Sequence, residues 1–321
     1  MTKTALVLLG PLEDRQKAIL EAAAPGWTFV YRSRREAAPD EWAAAEGILG
    51  SPLGDRKTLS DLNNLKWVQL SSAGADQYTA PGILPQGCVL TCSTGVFGEV
   101  IGDYMLAATL LLLQNFQLYR DNQLAGIWHR EAQPKSLGDC VVLILGAGDI
   151  GGAYARRVKA LGAAAIGVRR SPGEKPDFLD ELHLTADLDT LLPRADVVAM
   201  ALPDTPETRG IMDGRRLGLM KREAILLNVG RGSAVDTEAL CDALDGGVIA
   251  GAALDVTNPE PLPAGHRLWG CKNAFITPHI SGEAAGLEPK VELFAHNLAA
   301  YVQGTPMESV VDLRTGYRAG R

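Results

Sequence analysis

Residues 141–152 read VVLILGAGDIGG, from Val141 to Gly152. Five apolar residues run into Gly146-x-Gly148-x-x-Gly151, and the segment behind them, residues 151–161, has helical composition. A short apolar run before the glycines has the length of a buried strand. Strand, glycine turn and helix together make the setting in which such a turn binds a dinucleotide. The first glycine permits the tight turn, the second lets backbone approach a pyrophosphate, and the third lets helix and strand pack closely. The helix N-terminus then offers unpaired N–H groups and partial positive charge. Gly146, Gly148, Asp149, Ile150 and Gly151 are therefore candidate cofactor-binding residues. With 35 glycines in the chain, the spacing alone would be weak; the strand and helix around it carry the argument.

The next apolar run, residues 163–168, is followed by Arg169, Arg170 and Ser171, beginning 18 residues after Gly151 (169 − 151 = 18). An NAD-binding fold usually places an acid here to accept from the ribose 2′-OH. A carboxylate would repel a 2′-phosphate, whereas guanidinium groups pair with it. The reading is NADP(H) preferred, with NAD(H) possible.

Working outward, strands are expected at 4–9, 27–31, 47–50 and 66–70, then at 140–145, 163–168, 197–201, 224–228, 249–254 and 274–276. Helical stretches fall between them, at 12–24, 41–46, 151–161, 213–219, 237–244 and 291–302, and one long helix is read over 100–119. Apolar strands alternating with helices predict parallel, helix-covered sheets. A chain of 321 residues suits two domains. We expect two doubly wound α/β domains: a Rossmann cofactor domain over 100–282, inserted into a flavodoxin-like substrate domain of 1–99 plus 283–321. Helix 291–302 is expected to pack back onto the first domain.

The composition excludes several classes of function. Net charge is −7 and no basic block occurs, which argues against nucleic acid or an anionic membrane surface as partner. The most apolar stretch, Met105 to Leu113, is too short to span a bilayer, and the N-terminal residues lack a signal-peptide pattern. The five cysteines, Cys88, Cys92, Cys140, Cys241 and Cys271, form no CxxC pair, which favours free thiols in a reducing compartment, the cytoplasm, and no metal site.

Three segments point to chemistry: LLNVGRGSAVD with Arg231, GAALDVTNPEPLP with Asp255 and Glu260, and FITPHISG with His279. Each follows an expected strand, on the side of an open α/β sheet where ligands bind. With ALPDTPETRGIM and LMKREAILLNVGRG, the set resembles the D-2-hydroxyacid dehydrogenases, which include glyoxylate/hydroxypyruvate reductases. The resemblance covers essentially the whole chain and is most specific from Leu143 to Gly282. It implies a catalytic trio of Arg231, Glu260 and His279. It places Asp255, Ser281 and Gly282 near the nicotinamide, and Leu202, Pro203, Thr208, Val229 and Gly230 along the cofactor. KWVQLSSAGAD resembles the family's substrate loop, so Ala73, Gly74 and Ala75 would hold the substrate carboxylate through backbone N–H groups. Thr94-Gly95-Val96 and Gly98 resemble the entry to the helix that carries Asp103. That helix commonly serves dimers, so the Met105–Leu113 face suggests a homodimer, a buried intramolecular helix being the alternative.

The residue types suit the chemistry. Reduction of a 2-oxo acid puts a hydride on the carbonyl carbon and a proton on the oxygen. Protonated His279 can polarise that oxygen and supply the proton. Glu260 can favour and orient the imidazolium, and Arg231 can grip the substrate carboxylate. The expected substrate is a small 2-oxo acid such as glyoxylate or hydroxypyruvate, held between the domains. A formate dehydrogenase-like enzyme would carry an amide in place of Glu260. A phosphite-oxidising relative uses similar residues. A dinucleotide-sensing corepressor would bind the cofactor without consuming it.

Overall fold

A computed structural model describes residues 3–54, 56–131 and 133–317. The chain divides into two compact units, Met1–Val96 with Ala285–Arg321, and Phe97–Ala284. The first unit begins with β1 (Thr4–Leu8), α1 (Asp14–Ala23), β2 (Thr28–Tyr31), α2 (Pro39–Ala44), β3 (Gly47–Gly50), β4 (Trp67–Gln69) and β5 (Val89–Thr91). The second runs α3 (Gly98–Leu113), α4 (Phe116–Ala125), β6 (Val141–Leu145), α5 (Asp149–Ala160), β7 (Ala164–Arg169), β8 (Glu181–Leu184), α6 (Leu188–Leu191) and β9 (Val197–Met200). It continues with α7 (Gly214–Leu217), β10 (Ile225–Asn228), α8 (Thr237–Asp245), β11 (Gly251–Leu254) and β12 (Ala274–Ile276). Helix α9 (Glu288–Gln303) belongs to the first unit.

In the first unit the strands lie in the order β2-β1-β3-β4-β5, all parallel, as in flavodoxin-like folds. Register aligns Leu6, Ile48, Val68 and Leu90 across one face of the sheet. The other face packs Val7, Leu49 and Trp67 against Leu20 of α1 and Val291, Phe294 and Leu298 of α9. Each fully buried leucine there contributes about 1.5–3 kcal/mol relative to exposure. A buried polar chain ties α9 to the sheet. Asn297 Nδ2 and Thr91 Oγ1 each donate to Gln69 Oε1 at 2.7 Å, and Trp67 Nε1 donates to Thr91 Oγ1 at 2.9 Å.

In the second unit the order is β12-β11-β10-β9-β6-β7-β8, again all parallel. Strand order reverses between β6 and β9, the switch point where such sheets bind ligands, and the glycine turn leaves β6 at that point. One face aligns Ile166, Leu143, Val198, Leu226 and Ala252 over a core shared with Leu217, Leu240 and Leu244. Over β6 and β7 lies α5, and α3 packs on α5. There the buried hydroxyls of Thr109 and Tyr154 meet at 2.6 Å.

Several details differ from the sequence reading. The single helix expected over 100–119 is two helices, because Asn115 adopts a left-handed φ of 57° and ends the first. Asparagine tolerates that conformation, so no proline is needed. Met105, Ala108, Leu112 and Leu113 are buried within the second unit, so that side of the Met105–Leu113 stretch is intramolecular, while Leu106, Leu110 and Leu111 stay half-buried and Ala107 exposed. Large exposed apolar residues lie further on, at Phe116, Leu124, Ile127 and Trp128. Strand β5 has only three residues, and β8 is a half-buried edge strand with alternating polar groups. Neither carries the apolar run by which the other strands were read.

Candidate active site

The three glycines of the turn differ in what surrounds them. Gly146 has φ +94°, and a Cβ there would stand 2.6 Å from the carbonyl oxygen of Ala201. At Gly151 it would lie 2.2 Å from the Gly146 carbonyl oxygen. These two positions exclude a side chain by close packing. Gly148 is exposed, and a Cβ there would meet nothing within 4 Å. Open space at the middle glycine, at the N-terminus of α5 with no capping side chain, is what an approaching pyrophosphate requires. Asp149 and Ile150 form the first turn of that helix, half-buried. The residues present therefore fit a dinucleotide.

At the end of β7, Arg169 is half-buried, Arg170 exposed and Ser171 half-buried. The Arg169 guanidinium lies over Gly173, with nitrogens 2.6 and 2.7 Å from where a Cβ would stand. In the loop after β9, Leu202 and Pro203 are half-buried. The Thr208 hydroxyl closes this loop, donating to the Pro203 carbonyl at 2.6 Å and accepting from the Thr205 amide at 2.9 Å.

Arg231 follows β10 on a loop pinned by buried Asn228, whose Nδ2 donates to the Arg231 carbonyl at 2.9 Å and whose Oδ1 accepts from the Gly230 amide at 3.0 Å. Val229 is buried, its amide bonded to the Met200 carbonyl. A Cβ at Gly230 would lie 2.5 Å from the Leu202 carbonyl oxygen, and one at Gly232 only 2.0 Å from that of Thr257. The glycines flanking Arg231 thus let three neighbouring strand-end loops touch. Nearby, the Arg209 guanidinium holds the Asp204 carboxyl below the usual range, helped by the Ser233 hydroxyl and the charge of Arg231.

The next two loops carry the other groups. Glu260 Oε1 lies 2.7 Å from His279 Nδ1, with both side chains half in solvent. His279 has φ 56°, left-handed for a residue with a side chain. Asp255, 1% exposed, caps this turn. Its Oδ1 accepts from Thr277 Oγ1 at 2.6 Å and the Ile280 amide at 2.9 Å, and its Oδ2 from the Ser281 amide at 3.0 Å. Three of about four acceptor positions on the carboxylate are thereby taken. Ser281 is buried, and Gly282 packs against Phe97, whose ring lies 3.2 Å from a Cβ position.

Arg231, Asp255 and His279 thus leave β10, β11 and β12, adjacent parallel strands, at one sheet edge. Strands about 4.8 Å apart put the outer two loops roughly 10 Å from each other. The Asp103 carboxylate is bonded to Arg157 of α5 at 2.7 Å. In the first unit, Ala73, Gly74 and Ala75 follow β4, and the Ser72 hydroxyl donates to the Gly74 carbonyl at 2.8 Å. The sequence reading missed Asn228, Tyr104 and Thr277. Asn228 had a signal, a polar residue ending a wholly apolar strand immediately before the VGRG loop. Among the described residues, no group of three His, Cys, Asp or Glu could hold a metal, and no helix is long and apolar enough to cross a membrane.

Residues 106–281 match the NAD-binding domain of the D-isomer specific 2-hydroxyacid dehydrogenases. A glyoxylate/hydroxypyruvate reductase B of Pectobacterium carotovorum is 33% identical over 280 residues, covering 84% of this chain and 86% of the relative. A D-isomer specific 2-hydroxyacid dehydrogenase of Xanthobacter autotrophicus, solved with NADPH and MES, superposes with a TM-score of 0.84 at 29% identity, over 99% of this chain and 100% of that one. An NADPH-dependent glyoxylate/hydroxypyruvate reductase of Sinorhizobium meliloti, solved with NADP and sulfate, gives 0.81 at 27% identity, over 98% and 100%.

Proposed function

The chain belongs to the D-isomer specific 2-hydroxyacid dehydrogenase family, and from that premise we propose that it reduces a small 2-oxo acid, of the glyoxylate and hydroxypyruvate class, with NADP(H). The observation that carries this reading is the 2.7 Å contact between Glu260 and His279 at the carboxyl edge of a Rossmann sheet.

When bound, the reduced nicotinamide supplies the hydride for the carbonyl carbon. His279 does the proton work. Its Nδ1 is engaged by Glu260, so Nε2 is the nitrogen left to give a proton to the carbonyl oxygen. Glu260 fixes the ring's orientation through that contact. Arg231 pairs with the substrate carboxylate and stabilises charge developing beside it. Arg169, Arg170 and Ser171 receive the 2′-phosphate, which gives the NADP(H) preference.

The same reading includes a homodimer in the cytoplasm. Exposed Phe116, Leu124, Ile127 and Trp128 on and just beyond α4 supply an apolar surface for a second copy. Buried, unpaired thiols at all five cysteines suit a reducing compartment.

The test is a panel of 2-oxo acids assayed with NADPH and NADH side by side. NADPH consumption with glyoxylate or hydroxypyruvate supports the reading. Cofactor binding without turnover on any 2-oxo acid would replace it with a sensor.

A further inference from the structure

The left-handed turn at His279 needs an explanation. A non-glycine residue at φ 56° is strained and persists only where its surroundings over-determine it. Part of the restraint is local: the His279 amide donates to the Asp255 carbonyl at 2.8 Å and the Thr277 carbonyl at 3.1 Å. The rest runs through the Asp255 carboxylate, which holds the amides of Ile280 and Ser281. That carboxylate is itself held by Thr277, whose Oγ1 lies 2.6 Å from Asp255 Oδ1 and 2.6 Å from the Tyr104 hydroxyl.

We propose that Tyr104 is a positioning residue for the reduction: acting through Thr277 and Asp255, it fixes the turn that presents His279. The proton count sets the direction of the chain. An ionised carboxylate only accepts, so the single hydroxyl proton of Thr277 points to Asp255. Thr277 Oγ1 then accepts, and the phenol of Tyr104 must donate to it. Burial pushes that phenol up to about 12, with the Thr277 hydrogen bond pulling down and the Asp255 charge pushing up, so it keeps its proton at neutral pH. Hydrogen bonds in series polarise one another, so the terminal donor strengthens the bond it does not make.

Tyr104 is also well anchored. It stands on α3 between Asp103, bound to Arg157 of α5, and wholly buried Met105. Its hydroxyl therefore ties the His279 turn to a packed helix pair rather than to another loop. Tyr104 touches no reacting atom in this scheme. The inference rests on His279 being the proton donor, as proposed above.

The experiment compares Tyr104→Phe, Thr277→Val and Thr277→Ser in the wild-type and His279→Ala backgrounds. It reads kcat and KM for glyoxylate, the Kd of NADPH, and urea stability. Tyr104→Phe is expected to lower kcat about tenfold, the kinetic equivalent of one lost hydrogen bond, with KM and Kd within about twofold. Thr277→Val should fall at least as far and Thr277→Ser should stay near wild type, which keeps the test open if the phenylalanine variant folds poorly. Tyr104→Phe with Thr277→Val should be no worse than Thr277→Val alone. In the His279→Ala background, Tyr104→Phe should change nothing further. Unchanged kcat in Tyr104→Phe, or an equal loss with and without His279, overturns the proposal. Wild-type turnover in His279→Ala alone would instead overturn the proton-donor reading on which it rests.

Discussion

Replacing Arg169 by Ala is expected to separate the two nicotinamide cofactors. Arg169 is the last residue of β7 and half-buried, so its charge is less screened by solvent than that of exposed Arg170. Among the described residues its guanidinium forms no ion pair; it rests over Gly173. The interaction is therefore not already spent on a carboxylate. A charge-assisted hydrogen bond is worth about 1.5–3 kcal/mol, which corresponds to about 10- to 150-fold in kcat/KM. Arg170 and Ser171 would still meet the phosphate, so the loss should fall in the lower part of that range. NADH has no 2′-phosphate, and its kcat/KM should move by less than about threefold, the scale of an ordinary surface change. The assay is steady-state reduction of glyoxylate with each cofactor, on wild type and variant. An equal loss for both cofactors, or a wild type that prefers NADH tenfold, would refute the phosphate argument.

Other consequences can be measured separately. Gly232→Ala drives a Cβ to 2.0 Å from a backbone oxygen that cannot rotate away, so it should destabilise by about 3 kcal/mol in urea unfolding; a change within about 0.5 kcal/mol would show that the loops yield freely. Burial pushes the Asp196 carboxyl up, but Lys135, Lys221 and the Val141 amide pull it further down, leaving it lowered. A lowered folded-state pKa gives stability that is present above the unfolded value of about 3.9 and lost as pH falls below it. Asp196→Asn should therefore cost about 1.5–3 kcal/mol at pH 7 and flatten the acid limb of the stability profile; an unchanged profile would contradict this. Trp128→Asp, at a fully exposed position, should shift the mass by light scattering from dimer toward monomer, and a wild type that is already monomeric would remove the proposed interface.

The parts of the fold legible in sequence were those encoded by local pattern. VVLILGAGDIGG declares strand, turn and helix within twelve residues, because Gly146 and Gly151 answer local steric demands and Gly148 keeps the turn open. The apolar runs of β9, β10 and β11 are equally plain, since parallel strands covered on both faces cannot alternate. Edge strand β8 escaped because half of it faces water, and the break at Asn115 escaped because one tolerant residue suffices. Pairings between distant residues were invisible: Asp196 with Lys135 is 61 positions apart, and Tyr104 with Thr277 is 173. For the site, the residue types were readable and their support was not. Nothing in the TPHIS segment tells that a buried aspartate on the preceding loop holds its amides.

The central claim is that His279 delivers the proton. The most direct measurement is turnover of glyoxylate by His279→Ala beside its NADPH affinity, followed by fluorescence titration. The account predicts a fall in kcat of about 100- to 10,000-fold with the Kd of NADPH nearly unchanged. Turnover at the wild-type rate would contradict it.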